Sequence, residues 1–206
     1  MNKQSNEPAG NMPVFHRDFH TAGFFIWKKQ HYSLAKYRME MKTLIKIAVL
    51  SDTHLPKKGK QLPEIVMEGI QDADLILHAG DWTSLDVYEQ LREIAPVIGV
   101  FGNVDPPEVK DVFEEKRIIE AGRFRIGITH GHIGKKKKTP ERAWEAFQQE
   151  ELDAIVFGHS HIPYSQMHDD TLLFNPGSPT DKRFQPRFSY GIIEIGEALE
   201  AKHIYF

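Results

Sequence analysis

The ten residues Ile45-Lys-Ile-Ala-Val-Leu-Ser-Asp-Thr-His54 decide the fold. Ile45 to Leu50 is an apolar run of strand length with no helical period, which reads as a buried β-strand. The polar triplet Asp52-Thr53-His54 follows almost at once. Downstream, Leu62 to Gln71 carries a helical pattern entered through Pro63, and Leu75 to Ala79 reads as a second strand. Leu85 to Ile94 is a second helix and Val97 to Phe101 a third strand. Strands that alternate with helices in this way form a largely parallel sheet, because each helix carries the chain back to the starting edge. After Asp105 the pattern turns strand-rich. Val112 to Ile119, Phe124 to Thr129, Ala154 to Phe157, Leu172 to Phe174, Tyr190 to Glu194 and His203 to Phe206 are expected strands. The single clear helix there is Pro140 to Glu150, with Thr139 as its expected N-cap and Pro140 as its first residue. The segments Asp105 to Lys116 and Ser165 to Asp170 are loops in this reading. An α/β fold of two packed, mixed sheets flanked by helices is the expectation.

Composition narrows the function classes. With 40% hydrophobic and 27% charged residues the chain is of globular type, and its 206 residues suit one domain with an appendage. Residues 1–40 lack periodicity and end just before Met41, so they are expected to be an N-terminal extension, either a flexible tail or sequence upstream of a true start at Met41. Residues 41–206 form the domain. No apolar run is long enough to span a bilayer. Without cysteine there is no disulfide, no thiolate nucleophile and no thiolate zinc site, which suits a reducing cytoplasm. The formal charge of −3 is uneven: residues 1–40 hold six Lys or Arg against three acids, leaving the domain acidic. An acidic domain argues against a nucleic-acid partner held by phosphate neutralisation.

The ends of the strands carry the chemistry. Five motifs appear in order: Asp52-Thr-His54, Gly80-Asp81, Gly102-Asn103, His130-Gly-His132 and Gly158-His159-Ser-His161. Loops at the carboxyl ends of parallel strands converge on one crevice, so groups far apart in sequence can share a site. Carboxylates, imidazoles and a carboxamide form an oxygen and nitrogen donor set suited to divalent manganese, iron, zinc or similar ions. Seven donors exceed what one ion takes, whereas two ions roughly 3.5 to 4 Å apart would use Asp52, His54, Asp81, Asn103, His130, His159 and His161 together, with Asp81 as the bridge.

This series, D-x-H, GD, GN, H-G-H and G-H-x-H, resembles the calcineurin-like metallophosphoesterases, in particular their small bacterial and archaeal phosphodiesterase branch, over about residues 44 to 195. The resemblance implies a four-layer α-β-β-α sandwich. It also implies Asp52, His54, Asp81 and His161 on one metal, and Asp81, Asn103, His130 and His159 on the other. It implies hydrolysis of small phosphate esters by a metal-bridging hydroxide without an organic cofactor, and the acidic domain makes a nuclease of the same superfamily the weaker expectation; neither nucleic acid nor membrane is expected as partner. The expected cofactor is two divalent ions, manganese first, with iron, nickel, zinc or magnesium as alternatives, and the resemblance implies a homo-oligomer, a dimer or tetramer. Where larger relatives read Gly-Asn-His and an acid, this chain reads Gly102-Asn103-Val104-Asp105, so the proton-donating histidine is replaced by Val104. His132, Asn103 and His54 are therefore the candidate catalytic residues, with His132 or His54 able to supply part of the missing acid. Esters with good leaving groups are the expected substrates. The competing reading is a non-catalytic scaffold of the same fold, like a retromer subunit. Such a scaffold would be free to lose ligands that this chain keeps.

Among the other features, His78 reads as a strand residue, and Lys135 to Lys138 as a solvated loop or an element that steers anions toward the cleft. Asn175-Pro-Gly177-Ser178 reads as a turn, and the resemblance implies that this segment lies near the metal site, with Asn175 and Ser178 behind the ligands.

Overall fold

The computed structural model describes residues 43–206, so the expectation about residues 1–40 lies outside the described residues. One sheet is ordered β10-β9-β1-β2-β3, formed by β1 (Ile45–Leu50), β2 (Leu75–His78), β3 (Val97–Gly99), β9 (Ser189–Ile195) and β10 (Leu199–Tyr205). Its first three strands are parallel, whereas β9 runs antiparallel to β1 and β10 to β9. The second sheet is ordered β4-β5-β6-β8-β7, from β4 (Lys116–Ala121), β5 (Phe124–Thr129), β6 (Ala154–Val156), β7 (Tyr164–His168) and β8 (Thr171–Asn175). Here β5, β6 and β8 are parallel and the two edge strands antiparallel. Both sheets are mixed, as expected.

Side chains alternate across a strand, and β1 uses both faces. Ile45, Ile47 and Val49 point into the layer between the sheets, where they meet Ile126, Ile128 and Val156. Ala48 and Leu50 point the other way, toward Val66 of α1 (Glu64–Gly69) and Val87 and Leu91 of α2 (Asp86–Arg92). Val109 of α3 (Pro107–Lys110) joins that outer cluster. On the far side, Ala143 of α4 (Thr139–Glu145) packs with Phe147 over Ile155, Phe157 and Leu173. Helices, sheet, sheet and helix make the four-layer sandwich.

Three local expectations change. The strand expected over Val112 to Ile119 begins at Lys116 and reaches Ala121, where a two-residue turn through Gly122 (φ +57°) enters β5. Pro106 and Pro107 start α3 instead, and the Phe113 ring leaves the strand pattern to stack on Trp82 at 4.5 Å. The loop expected at Ser165 to Asp170 is mostly the edge strand β7, whose last four residues are exposed and so carry no apolar alternation to read. The expected helix over Pro140 to Glu150 is shorter, Thr139–Glu145, and passes into turns from residue 146, while its cap shifts by one: Lys138 is the extended cap residue and Thr139 the first helical residue. The Thr139 hydroxyl accepts from Arg142 Nη2 (3.2 Å) rather than capping the helix.

Candidate metal centre

Each motif sits just beyond the carboxyl end of a parallel strand, β1, β2 and β3 in one sheet, β5 and β6 in the other. The site therefore lies where the two sheets meet along one edge. Backbone hydrogen bonds sew the loops together: Asp52 N–H donates to Gly80 O (2.9 Å), His54 N–H to Asp81 O (3.0 Å), and Gly158 N–H to His130 O (3.3 Å).

Local backbone geometry is unusual. Asp52, His54, Asp81, His159 and His161 all have φ between +49° and +68°, the left-handed region that costs a non-glycine residue energy. Such outliers gather where surrounding structure over-determines them, as at functional sites. Close approach also requires glycine at Gly102, where a Cβ would lie 2.1 Å from Asp81 Oδ1, and at Gly158, where it would lie 2.8 Å from Asp52 Oδ2.

The seven expected ligands converge. Asp52, His54 and His161 form one group of donor atoms within 4.8 Å of one another, and Asp52, Asp81 and His130 form a second. Asp81 Oδ2 lies 3.6 Å from His54 Nε2 and 3.3 Å from His130 Nε2, so a single oxygen faces both groups. Asn103 Oδ1 lies 3.1 Å from His130 Nε2 and 2.9 Å from His159 Nδ1, which attaches Asn103 and His159 to the second group. Asp52 belongs to both groups, a wider placement than the single metal the resemblance implies for it.

Hydrogen bonds on the outer side aim the donors inward. His130 Nδ1–H donates to Ala79 O (2.7 Å) and His161 Nδ1–H to Asp181 O, which turns both Nε2 atoms toward the centre. The Asp52 carboxylate accepts from the His159 amide (3.0 Å) and the Ser51 hydroxyl (2.7 Å). Ser178 Oγ donates to Asp52 O (2.7 Å) and Asn175 Nδ2 to Gly158 O (2.7 Å), so the turn after β8 braces two of the motifs. His78 remains structural: its Nδ1 accepts from Gly80 N–H (3.2 Å), its Nε2 meets the Thr53 hydroxyl (3.2 Å), and its ring stacks on Trp82 at 3.6 Å.

Electrostatics fit a cation. Burial pushes the Asp52 carboxyl up to about 7, and the neighbouring Asp81 charge adds to the rise. Burial acts on Asp81 in the same sense, but the hydrogen bond and charge of His130 and the Val104 amide outweigh it and hold the carboxyl well below its usual range. Burial lowers His54, and it lowers His159 and His161 to about 4, so their lone pairs are free at neutral pH. His54 Nε2 and His161 Nε2 lie only 3.2 Å apart with two carboxylates beside them. Two imidazole lone pairs, a carboxamide oxygen and carboxylates directed at common points are the donor chemistry of divalent metal ions.

Two residues acquire meaning only from the structure. Asp105 is buried, and its carboxylate accepts from the amides of Asp81 (3.0 Å), Gly102 (2.7 Å) and Thr83 (2.7 Å), locking the second and third motifs together. The acid at this place in the larger relatives' motif was the available signal. The Asp181 carbonyl that orients His161 has no sequence signature. His132 stands 5.2 Å from the His130 ring and 6.4 Å from that of His159, with its buried Nδ1 unpartnered among the described residues.

Residues 45–198 match the model of the calcineurin-like phosphoesterase superfamily domain. A probable metallophosphoesterase of Methanothermobacter thermautotrophicus is 36% identical over 159 residues, covering 77% of this chain and 91% of that protein. The solved structure of an archaeal phosphodiesterase superposes with a TM-score of 0.63 at 25% identity, covering 79% of this chain and all of the other. Wild-type Vps29 of Entamoeba histolytica, solved with zinc, shares the fold with a TM-score of 0.63 at 22% identity, over 78% of this chain and 99% of that one. By its ordered motifs, its sandwich and these matches, the chain belongs to the calcineurin-like phosphoesterase superfamily.

Proposed function

We propose that this protein is a dinuclear metal-dependent phosphodiesterase acting on small phosphate esters with good leaving groups. The observation that carries the reading is Asp81 Oδ2, one carboxylate oxygen 3.6 Å from His54 Nε2 in one group of ligand atoms and 3.3 Å from His130 Nε2 in the other. In this reading Asp52, His54, Asp81 and His161 hold one cation, and Asp81, Asn103, His130 and His159 the other, with manganese the first candidate. Two such cations would supply a water of lowered pKa as nucleophile and positive charge against the phosphoryl oxygens.

The chain's own residues limit the rest of the chemistry. Val104 contributes its amide to Asp81 Oδ1 (3.1 Å) and an exposed isopropyl group that cannot donate a proton. Burial and the charge of His130 push the His132 imidazole down to about 4, so at neutral pH it carries no extra proton to give. Burial likewise lowers His54. General-acid help is worth roughly 10² to 10⁴ in rate, so its absence selects leaving groups that depart unprotonated. With manganese supplied, aryl diesters are expected to turn over at least ~100-fold faster than alkyl diesters, and equal rates in steady-state assays would remove the argument from Val104.

No helix among the described residues is long and apolar enough to cross a membrane. A cytoplasmic homo-oligomer, dimer or tetramer, is the setting we propose. The scaffold alternative draws on the fold shared with Vps29; the full ligand set favours catalysis. The deciding experiment is metal analysis of the purified protein followed by diester assays of wild type, His161→Ala and Asn103→Ala. Metal in the wild type, with both variants slowed by ~10² or more, supports the enzyme. A metal-free wild type whose rates the variants match would establish the scaffold.

A further inference from the structure

We infer that a second anion-binding subsite adjoins the metal centre, in the cavity between the lysine run and the segment from Ser160 to Tyr164, and that it receives a negatively charged ester group of the substrate. The inference rests on the phosphodiesterase reading and adds a substrate class to it. The cavity encloses about 300 Å³, at the lower end of small-ligand sites.

Both of its walls are fastened to the metal motifs. On one side, Arg142 reaches back from α4, where Nε donates to Gly131 O (2.8 Å), between His130 and His132. The same guanidinium donates to the carbonyls of Lys136 (3.2 Å) and Lys137 (3.1 Å) and to the Thr139 hydroxyl (3.2 Å). A loop of four lysines is thereby held against the fourth motif. On the other side, Ser160 and Ile162 flank His161, and Ser160 Oγ accepts from Asn175 Nδ2 (3.2 Å) and Ile162 N–H (3.2 Å).

The lining has two chemical parts. Pro140, the half-exposed Ile162 and the Tyr164 ring, set edge-on to Phe157 at 5.9 Å, form an apolar shelf. Lys137 and Lys138, both exposed, add two positively charged side chains to the lining, and no lining residue is acidic. Lys135 and Lys136 belong to the same run but do not line the cavity. The occupant that suits a shelf rimmed by cations is a flat apolar body carrying its own negative charge, as a phosphorylated nucleoside does. The substrate class is therefore a phosphodiester in which one ester group bears a further anion.

The test uses the full-length protein with manganese and two nucleotide probes. By calorimetry, thymidine 3′,5′-bisphosphate is expected to bind about tenfold more tightly than thymidine 5′-monophosphate at low salt. Lys137→Ala/Lys138→Ala should erase that preference without changing monophosphate affinity. Lys135→Ala/Lys136→Ala, the same charge change outside the cavity, should keep it. In assays, the double variant should raise KM, with kcat unchanged, for thymidine 5′-(4-nitrophenyl phosphate) bearing a 3′-phosphate and leave the compound lacking it unaffected. Equal wild-type affinities for the two probes, or equal loss in both lysine pairs, would overturn the subsite. A wild type that prefers the bisphosphate yet hydrolyses neither diester would instead overturn the phosphodiesterase reading and leave the subsite standing.

Discussion

On the proposed dinuclear reading, Asp81→Asn is expected to lower aryl diester hydrolysis about a thousandfold and to reduce bound metal from the two ions proposed to one or fewer. The substitution keeps size, and asparagine tolerates the left-handed φ of +59° found at this position. What it removes is the charge on the oxygen that faces both His54 and His130. The amide can keep an acceptor toward the Val104 N–H or present an oxygen to the metal side, but it cannot bridge two cations as a carboxylate does. Metal analysis and rate should therefore fall together. Rate loss with two ions retained would mean that Asp81 orients the site without bridging it.

The same residue illustrates what the sequence can disclose. Asp81 follows an apolar strand and a glycine, so its place at a strand end was legible, as were those of Asp52, Asn103, His130 and His159. Parallel strands direct their carboxyl ends to one edge, and that topological rule gathers the motifs without any side-chain detail. Two packed sheets were legible from the strand-rich pattern after Asp105, whereas the division of β1 between two apolar layers, Ile45, Ile47 and Val49 on one face and Ala48 and Leu50 on the other, came from the structure. Where burial imposed no period, the reading failed: β7 is an exposed edge and α3 takes its start from Pro106 and Pro107. Most of the bracing of the ligands was also hidden, although the turn at Asn175 to Ser178 was expected beside the site. Ser51 meets the Gly177 carbonyl, Ser178 the Asp52 carbonyl and His161 the Asp181 carbonyl, across up to 126 residues, and backbone acceptors leave no mark on side-chain identity.

Asp105 is the residue where fold and site depend on the same atoms, and Asp105→Ala is expected to cost about 3 kcal/mol, from three buried amides left without a charged acceptor. For a domain of this size that is a fall of roughly 6 to 12 °C in melting temperature. Thr83 N–H loses Oδ1, while Asp81 N–H and Gly102 N–H both lose Oδ2. Asp105→Asn separates the two arms. Its amide oxygen can replace Oδ2 and keep the Asp81 and Gly102 loops joined, but its NH₂ group then faces the Thr83 N–H, donor against donor. An intermediate fall in melting temperature, with metal content nearly retained, is expected of Asn, whereas Ala should lose metal affinity as well as stability, because the Asp81 and Asn103 loops are no longer tied. Thermal melts recorded with manganese and with chelator separate the contributions, since a ligand that binds only the folded state raises the melting temperature by an amount that grows with the logarithm of its affinity. The manganese-induced rise should be largest in wild type, smaller in Asn and nearly absent in Ala. If all three proteins showed the same rise, Asp105 would support the fold alone, and the register of the second and third motifs would have to be fixed by the glycine contacts at Gly102 and Gly80 instead.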